Sequence, residues 1–224
     1  MAQTSSFGNL VRLRRSVRHF LPTPLADLQM NAVLGDAQRS PSNCNTQPWM
    51  VHIASGAAKE ALTKTLTAHA REARFSSDFS WDETAFPDIP DARPREQGKT
   101  YYESLGIARN DAAGRQAGLL KNLEFFGATH VAFLFMRSVG DNVRVAADLG
   151  MYAQTFLLSL TARGFAGIPQ TVLGLFSDPV RATVCVPGDM KLLFGISFGH
   201  AGADATSVPY MPRAPLSDSI VRHG

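Results

Sequence analysis

Two hydrophobic periods alternate along the chain, one typical of helices and the other typical of strands. After Thr23-Pro24, which suit an N-cap and a first helical position, apolar residues recur at helical spacing as far as Ala37. The next apolar run, WMVHIAS from Trp49, alternates apolar and polar positions as a half-buried strand does. Ser55 is placed to cap a further amphipathic helix. We therefore expect helix, strand and helix in this part of the chain.

The second half of the chain shows the same alternation with more apolar elements. A helical stretch near 101–126 precedes THVAFLFM, a continuous apolar run that is typical of a central strand covered on both faces. A long helix is expected from Asp141-Asn142 to Arg163-Gly164. Because it is apolar around much of its circumference, it should be buried in the core or at an interface. A short helix at 177–179 and a last strand, KLLFGISFG, complete the pattern.

The segment 71–118 interrupts this alternation. Residues 75–100 within it combine aromatic, proline and charged residues, which is typical of a surface excursion rather than of a core element. Long insertions of this kind are usually lids or binding loops. We therefore expect a single domain over residues 1–224, with a lid or insertion at about 71–118.

Composition agrees with one globular domain. The chain has 224 residues, of which 45% are hydrophobic and 18% charged, so it can bury a sizeable core. The N-terminus lacks the apolar core of a secretory signal, and the uncharged run at 40–58 is polar rather than membrane-spanning. These features predict a soluble, cytoplasmic protein with no membrane partner.

Cysteine and histidine give no sign of a metal centre. Cys44 and Cys185 are the only cysteines, too few for a disulfide framework or a cysteine zinc site, and we expect two buried, reduced thiols. The six histidines show no HExxH or comparable spacing, so no metal is predicted. No GxGxxG follows a strand, so a Rossmann dinucleotide domain is not indicated.

The net charge of +3 is concentrated in one segment. RLRRSVR, residues 12–18, holds four arginines and no acid, and the other 18 basic and 19 acidic residues give −1. A nucleic-acid surface would normally spread basic residues over a face or groove, so a basic-armed nucleic-acid-binding protein is the weaker interpretation. Taken alone, these arginines could also form a solvated helix face.

A second polar segment, SPSNCNTQPW from Ser40, carries amide and hydroxyl groups that donate and accept hydrogen bonds. Such groups suit a turn, or they suit a neutral ligand with a polar edge. Arginine forks bind phosphate, so flavin mononucleotide (FMN), with its phosphate, ribityl chain and pyrimidine ring, would explain both segments. The flavin would carry the hydride chemistry, and no catalytic side chain is nominated.

Together these segments resemble the FMN-dependent nitroreductase family, and they look closest to its nitrobenzoate-reductase-like branch. The specific matches are RRSVRHF at 14–20 and SPSNCNTQPW, in this order; KNLEFFGATHVAFLF, ARGFAGIPQ, FGISFGHAG and PYMPRAPLSD agree as well. The resemblance spans about Leu10 to Val221. It implies an α+β nitroreductase-like fold, in which helices wrap a central mixed β-sheet, and an intertwined homodimer with FMN between the subunits.

The resemblance also implies the residues that would bind FMN. The phosphate, the ribityl chain and the pyrimidine edge would be held by Arg14, Arg15, Ser16 and Arg18, with Arg213 closing on the phosphate. The partner's flavin would be met by Pro41, Ser42, Asn43, Asn45 and, nearby, Gln47. Pro169 and Gln170 would lie beside the central ring, where a backbone N–H meets the hydride-accepting nitrogen. Taken alone, the amide residues could be turn and capping residues, and Pro169-Gln170 a loop.

For activity, the resemblance implies a two-electron reductase. NADH or NADPH would reduce the flavin, and a nitroaromatic such as nitrobenzoate, or a quinone, would then accept a hydride and a proton from solvent. A flavin reductase or a reductive dehalogenase of the same fold is the alternative.

The aromatic and basic residues of the 71–118 segment allow two interpretations. They are Phe75, Phe79, Trp81 and Phe86 with Arg93, Arg95, Lys99, Arg109 and Arg115. As a lid, they would cover a flat aromatic and favour an acidic one, such as nitrobenzoate over nitrobenzene. As a solvated helical hairpin, the segment would use its aromatic residues to anchor itself to the body.

Overall fold

The computed structural model describes residues 6–80, 92–203 and 210–224, in which helices cover both faces of one β-sheet. The helices are α1 (Phe7–Leu13), α2 (Asp27–Ala37), α3 (Gly56–Arg71), α4 (Ala92–Ser104), α5 (Ala112–Leu123), α6 (Val143–Ala162) and α7 (Ser177–Val184). The strands are β1 (Trp49–Ser55), β2 (His130–Arg137), β3 (Ala166–Gln170) and β4 (Met190–Gly199). None of these helices combines the length and apolarity needed to cross a bilayer.

The four strands form one sheet in the order β1-β2-β4-β3, and each neighbouring pair is antiparallel. The sheet of the described residues is therefore antiparallel where a mixed sheet was expected. A strand covered on both faces reads as an unbroken apolar run in either pairing, so the pattern could not distinguish them. Parallel pairing occurs here as single bridges, one of which joins Ser16 to Gly167 on β3.

Helices on both faces explain the apolar run of β2. Every residue from 131 to 136 is at most 1% exposed. Val131, Phe133 and Phe135 contribute to a cluster with α3, α5 and α7, whereas the residues between them contribute to a cluster with α2 and α6. Much of α6 belongs to this second cluster, which confirms its predicted burial in the core.

The predicted elements are present, but two helix boundaries differ. The helix expected from Thr23 begins at Asp27, where the backbone N–H of Ala26 donates to the Gln29 side chain at 2.8 Å. The helical stretch near 101–126 is two helices, α4 and α5, separated by a turn at Gly106, whose φ of 69° suits glycine. The pattern missed α1 and β3, which are short.

Both cysteines are exposed, so the prediction of buried thiols is wrong. Cys44 lies inside a 3-10 turn with φ of 50°, and Cys185 is the residue that ends α7, with φ of 55°. Turn residues of this kind run over the surface, where apolar packing is not available. Composition alone carries no information on these turns.

A buried ion pair fixes the start of the 71–118 segment to the body. Arg181 on α7 donates to both carboxylate oxygens of Asp78, at 2.7 and 3.1 Å, and the Leu192 N–H donates to the same carboxylate at 2.7 Å. Burial alone would raise the pKa of Asp78, but the hydrogen bonds from Arg181 and Leu192 outweigh burial and lower it. The pair therefore joins this segment to α7 and β4.

Replacing Asp78 with asparagine should lower the free energy of unfolding by about 3–5 kcal/mol, because the Arg181 charge would remain buried without its main counter-charge. Chemical denaturation measures this loss as a lower midpoint. Asp178→Asn is the matched control: Asp178 accepts from the same guanidinium at 2.8 Å, but its side chain is 73% exposed. We expect that control to lose less than about 1 kcal/mol, and equal losses would contradict a special role for the buried pair.

Candidate cofactor site

The arginine segment, residues 12–18, begins in the last turn of α1 and runs beside β3. Ser16 forms a parallel bridge with Gly167, and the N–H of Val17 donates to the Gly167 carbonyl at 3.4 Å. A side chain at Gly167 would collide with α6, since a Cβ would lie 2.9 Å from Leu160 Cδ1. The segment is thus fixed along the strand that ends at Gln170.

The C-terminal tail folds back over the same arginines. The Tyr210 ring centroid lies 4.3 Å from Arg15 Cζ, and the Tyr210 hydroxyl donates to the Leu13 carbonyl at 3.4 Å. Burial, and after it repulsion from Arg213, lowers the pKa of Arg14, while Tyr210 acts in the opposite direction. Arg14 is half-buried and Arg213 exposed, and within the described ranges neither forms an ion pair with a carboxylate. Two guanidiniums that converge in this way suit an anion such as phosphate.

Arg18 connects the arginine segment to α4. Its Cζ lies 4.5 Å from the Tyr101 ring centroid, and its Nη1 donates to the Ser16 carbonyl at 3.4 Å. Burial lowers the pKa of Arg18, and burial also raises the pKa of Tyr101, although the Arg18 charge opposes that rise. A half-buried guanidinium on an aromatic ring remains able to bind a ligand's polar edge.

The amide segment, residues 40–49, forms a strained turn with exposed side chains. Cys44, Asn45 and Gln47 have φ of 50°, 55° and 47°, a region that non-glycine residues seldom occupy. The backbone N–H of Gln47 donates to the Ser42 hydroxyl at 2.9 Å and closes the turn. The side chains of Asn43, Asn45 and Gln47 are exposed and can reach a ligand.

This turn is held by α2 and α6. Gln38 at the end of α2 donates to the Gln47 side chain at 3.1 Å, and the backbone N–H of Asn43 donates to Asp148 on α6 at 3.2 Å. Pro41, at the start of the turn, is exposed. The turn and the arginine segment are thus anchored to different parts of the fold.

Gln170 and Pro169 present different groups to their surroundings. The Gln170 side chain is 3% exposed; it donates to the Asn122 carbonyl at 2.9 Å and accepts from the Ser197 hydroxyl. Because both ends of that amide are satisfied in the core, the Gln170 side chain is not available to a ligand. Pro169 beside it is exposed.

A cavity of about 600 Å³ lies where β3 ends. Its walls come from Ser77, Phe79 and Ser80, from α5, from the turn after Gln170 and from the part of β4 at Leu193, which is bulged out of the β2 register. Most of the lining is apolar, with Phe79, Leu119 and Phe194 among the larger side chains, and no described lining residue is charged. The cavity therefore suits a flat, uncharged aromatic better than an acid.

Several basic residues of the 71–118 segment already have partners. Arg93 pairs with Asp218 at 3.3 Å, Lys99 with Glu103 at 3.8 Å, and Arg115 donates to the backbone of the same segment. Phe75 packs against Phe176 of the body at 5.6 Å between ring centroids, and Phe79 packs against the second core cluster. Trp81 and Phe86 lie outside the described residues. These contacts favour the body-anchored hairpin over the acid-selective lid.

The sequence did not reveal the residues that hold the proposed cofactor residues in place. Tyr101, Asn122, Asp148 and Tyr210 each contact a proposed cofactor residue or its backbone. The one available signal was Asp148, the single acid in a helix that is apolar around much of its circumference. Within the described ranges, no three His, Cys, Asp or Glu side chains are grouped as metal ligands would be.

The chain is similar to known proteins over most of its length. The model of the nitroreductase family matches residues 11–200. Nitroreductase NfnB from Mycolicibacterium smegmatis is 42% identical over 212 residues, which are 94% of this chain and 89% of that protein. The 4-nitrobenzoate reductase from Pseudomonas putida is 32% identical over 91% of this chain and 88% of its own length.

Solved structures agree with this similarity. The FMN-dependent nitroreductase NfnB from Mycobacterium smegmatis, in complex with NADPH, has a TM-score of 0.91 at 40% identity and covers 97% of both chains. The FMN- and NADPH-dependent NfnB from Sphigopyxis sp. strain HMH has a TM-score of 0.93 at 32% identity, with 98% of this chain and 100% of that chain covered.

Proposed function

Because the chain belongs to the nitroreductase family, we propose that it is an FMN-dependent oxidoreductase that uses NADH or NADPH to reduce nitroaromatic or quinone acceptors. The observation that carries the proposal is the packing of the C-terminal tail on the arginine segment through Tyr210, which brings the charge of Arg213 close enough to lower the pKa of Arg14. Neither arginine has a carboxylate partner among the described residues. A dianionic phosphate would relieve their repulsion. The use of NADH or NADPH agrees with the expected cytoplasmic location.

The arrangement of residues fits FMN. Arg14 and Arg213 would hold the phosphate, and Arg15, packed on Tyr210, would keep the tail over it. Arg18 would place a positive charge at the pyrimidine edge, where reduction increases negative charge. FMN would supply the hydride chemistry that the side chains lack.

Arg14→Ala and Arg213→Ala should each weaken FMN binding about ten- to a hundredfold, because a charge-assisted hydrogen bond contributes roughly 1.5–3 kcal/mol. Flavin fluorescence titration of the apoprotein measures the dissociation constant. Arg12→Ala is the control, since Arg12 is exposed and bonds to Asn9 within α1. Unchanged affinity in both site variants would remove the phosphate assignment.

We also propose that two chains form each cofactor site in a homodimer. The amide turn is anchored to α2 and α6, so a second copy could bring it to a flavin held by the arginine segment. Large apolar side chains remain exposed far apart in the sequence: Phe7 is 72%, Leu28 85%, Leu216 73% and Val221 78% exposed. A large dimer interface would cover such residues.

Light scattering of the FMN-loaded protein should give the mass of a dimer, and the flavin absorbance should give two FMN per dimer. Dilution that produces monomers should release FMN, because each site would lose its amide turn. A monomer that keeps its FMN and its full activity would exclude the shared site.

For the acceptor, we propose the apolar cavity at the end of β3. Its residues 171–175 follow Gln170 directly, and its described lining carries no charge. We therefore expect an uncharged nitroaromatic to be reduced at least as efficiently as nitrobenzoate, which is the opposite of what the acid-selective lid predicts.

Leu119→Trp should raise KM for nitrobenzene several-fold without changing the FMN dissociation constant, because Leu119 lines the cavity. Leu105→Trp is the control, since Leu105 is similarly exposed but does not line the cavity. If wild-type kcat/KM instead strongly favours nitrobenzoate and replacing Arg93, Arg95 or Lys99 reduces that preference, the acid-selective lid is correct.

A further inference from the structure

We propose that Asp148 positions the amide turn for cofactor binding, although it does not itself reach the cofactor. The inference rests on the proposed function, because FMN gives the turn its role. Asp148 is 4% exposed and lies on α6, while the turn precedes β1. The residue is therefore a structural support far away in the sequence.

The Asp148 carboxylate takes the place of a local cap. Both of its oxygens lie 3.2 Å from the backbone nitrogen of Asn43, the first residue of the 3-10 turn Asn43–Asn45. That N–H has no acceptor within its own turn, and the preceding Ser42 makes no side-chain cap there. Among the described residues, no cation pairs with Asp148. Burying a carboxylate that accepts from a single backbone N–H costs desolvation free energy. A role that compensates for this cost is therefore expected.

The strained backbone of the turn explains why such a contact is needed. Cys44, Asn45 and Gln47 all have positive φ, and such conformations persist only where surrounding contacts determine them. Inside the turn, the Ser42 hydroxyl accepts from the Gln47 N–H. Asp148 is the contact that fixes the turn itself to α6.

A second contact to α6 fixes the start of the same segment. The Ser40 hydroxyl donates to Thr155 Oγ1 at 2.8 Å, about two turns of helix beyond Asp148. With both ends of 40–43 tied to one rigid helix, the exposed side chains of Asn43 and Asn45 keep one orientation. Pre-organisation of this kind increases affinity because less freedom is lost on binding.

The experiment compares Asp148→Ala and Asp148→Asn with Asp36→Ala. Asp36 is the matched control because its carboxylate also ties α6 to another element: it accepts from Ser159 at 2.6 Å and from Arg163 at 2.7 Å, at the far end of the helix. Two quantities are measured, the FMN dissociation constant of each apoprotein and the hydrogen exchange of the backbone amides at 43–47.

Asp148→Ala should raise the FMN dissociation constant at least tenfold and speed exchange at 43–47. Asp148→Asn, which keeps an accepting oxygen, should recover part of both properties. Asp36→Ala should leave both near the wild-type values, even where its melting temperature falls. If Asp148→Ala does not fold, Asp148→Leu, which fills the same space without an acceptor, carries the same expectation.

Two results would overturn the inference: an FMN dissociation constant within twofold of wild type in Asp148→Ala, or equal changes in the Asp36 and Asp148 variants. A wild-type chain that binds no FMN would instead overturn the proposed function. Hydrogen exchange would then still show whether Asp148 holds the turn, so the two failures are distinguishable.

Discussion

Burial of the sheet on both faces is the constraint from which the arrangement of the site follows. With β2 and β4 paired in the middle and helices on each side, neither face of the sheet is left for a ligand. Polar chemistry must then lie at the sheet edges and in the turns between elements. The arginine segment lies along the edge strand β3, and the amide turn lies at the junction of α2 and β1.

The arginines divide into two groups by their partners. Arg181 is buried against Asp78 and contributes to stability, whereas Arg163 pairs with Asp36 at the surface. Arg14 and Arg18 are half-buried, yet their described neighbours are tyrosine rings, carbonyls and another arginine rather than carboxylates. A guanidinium that is partly desolvated without an acid is poised to bind an anionic or polar ligand. This contrast, and not the number of arginines, separates the proposed site residues from the structural ones.

Elements with a long hydrophobic pattern could be predicted from the sequence. β2 and α6 carry enough apolar residues to be identified from the sequence, and Trp49, the first residue of the alternating run, lies in the core. β3 could not be read, because five residues that include Gly167 and Pro169 show no period, and its strand pairing comes from β4. The exposure of Cys44 and the contact of Asp148 with Asn43 depend on a turn geometry that is set by contacts between distant residues. Likewise, a strand covered on both faces is apolar in a parallel or an antiparallel sheet, so strand direction could not be predicted from the run.

The contact between Arg18 and Tyr101 has a thermodynamic consequence. Tyr101 belongs to α4, whereas Arg18 belongs to the segment that runs beside β3. Because the Tyr101 ring contacts the Arg18 guanidinium, a shift of α4 would move that guanidinium. The affinity of a ligand that binds Arg18 would then depend on the position of α4. Linkage is reciprocal, so whatever stabilises one position of α4 changes the affinity for that ligand by the same factor. Through one ring and one guanidinium, the position of α4 would thus be linked to any ligand that binds Arg18.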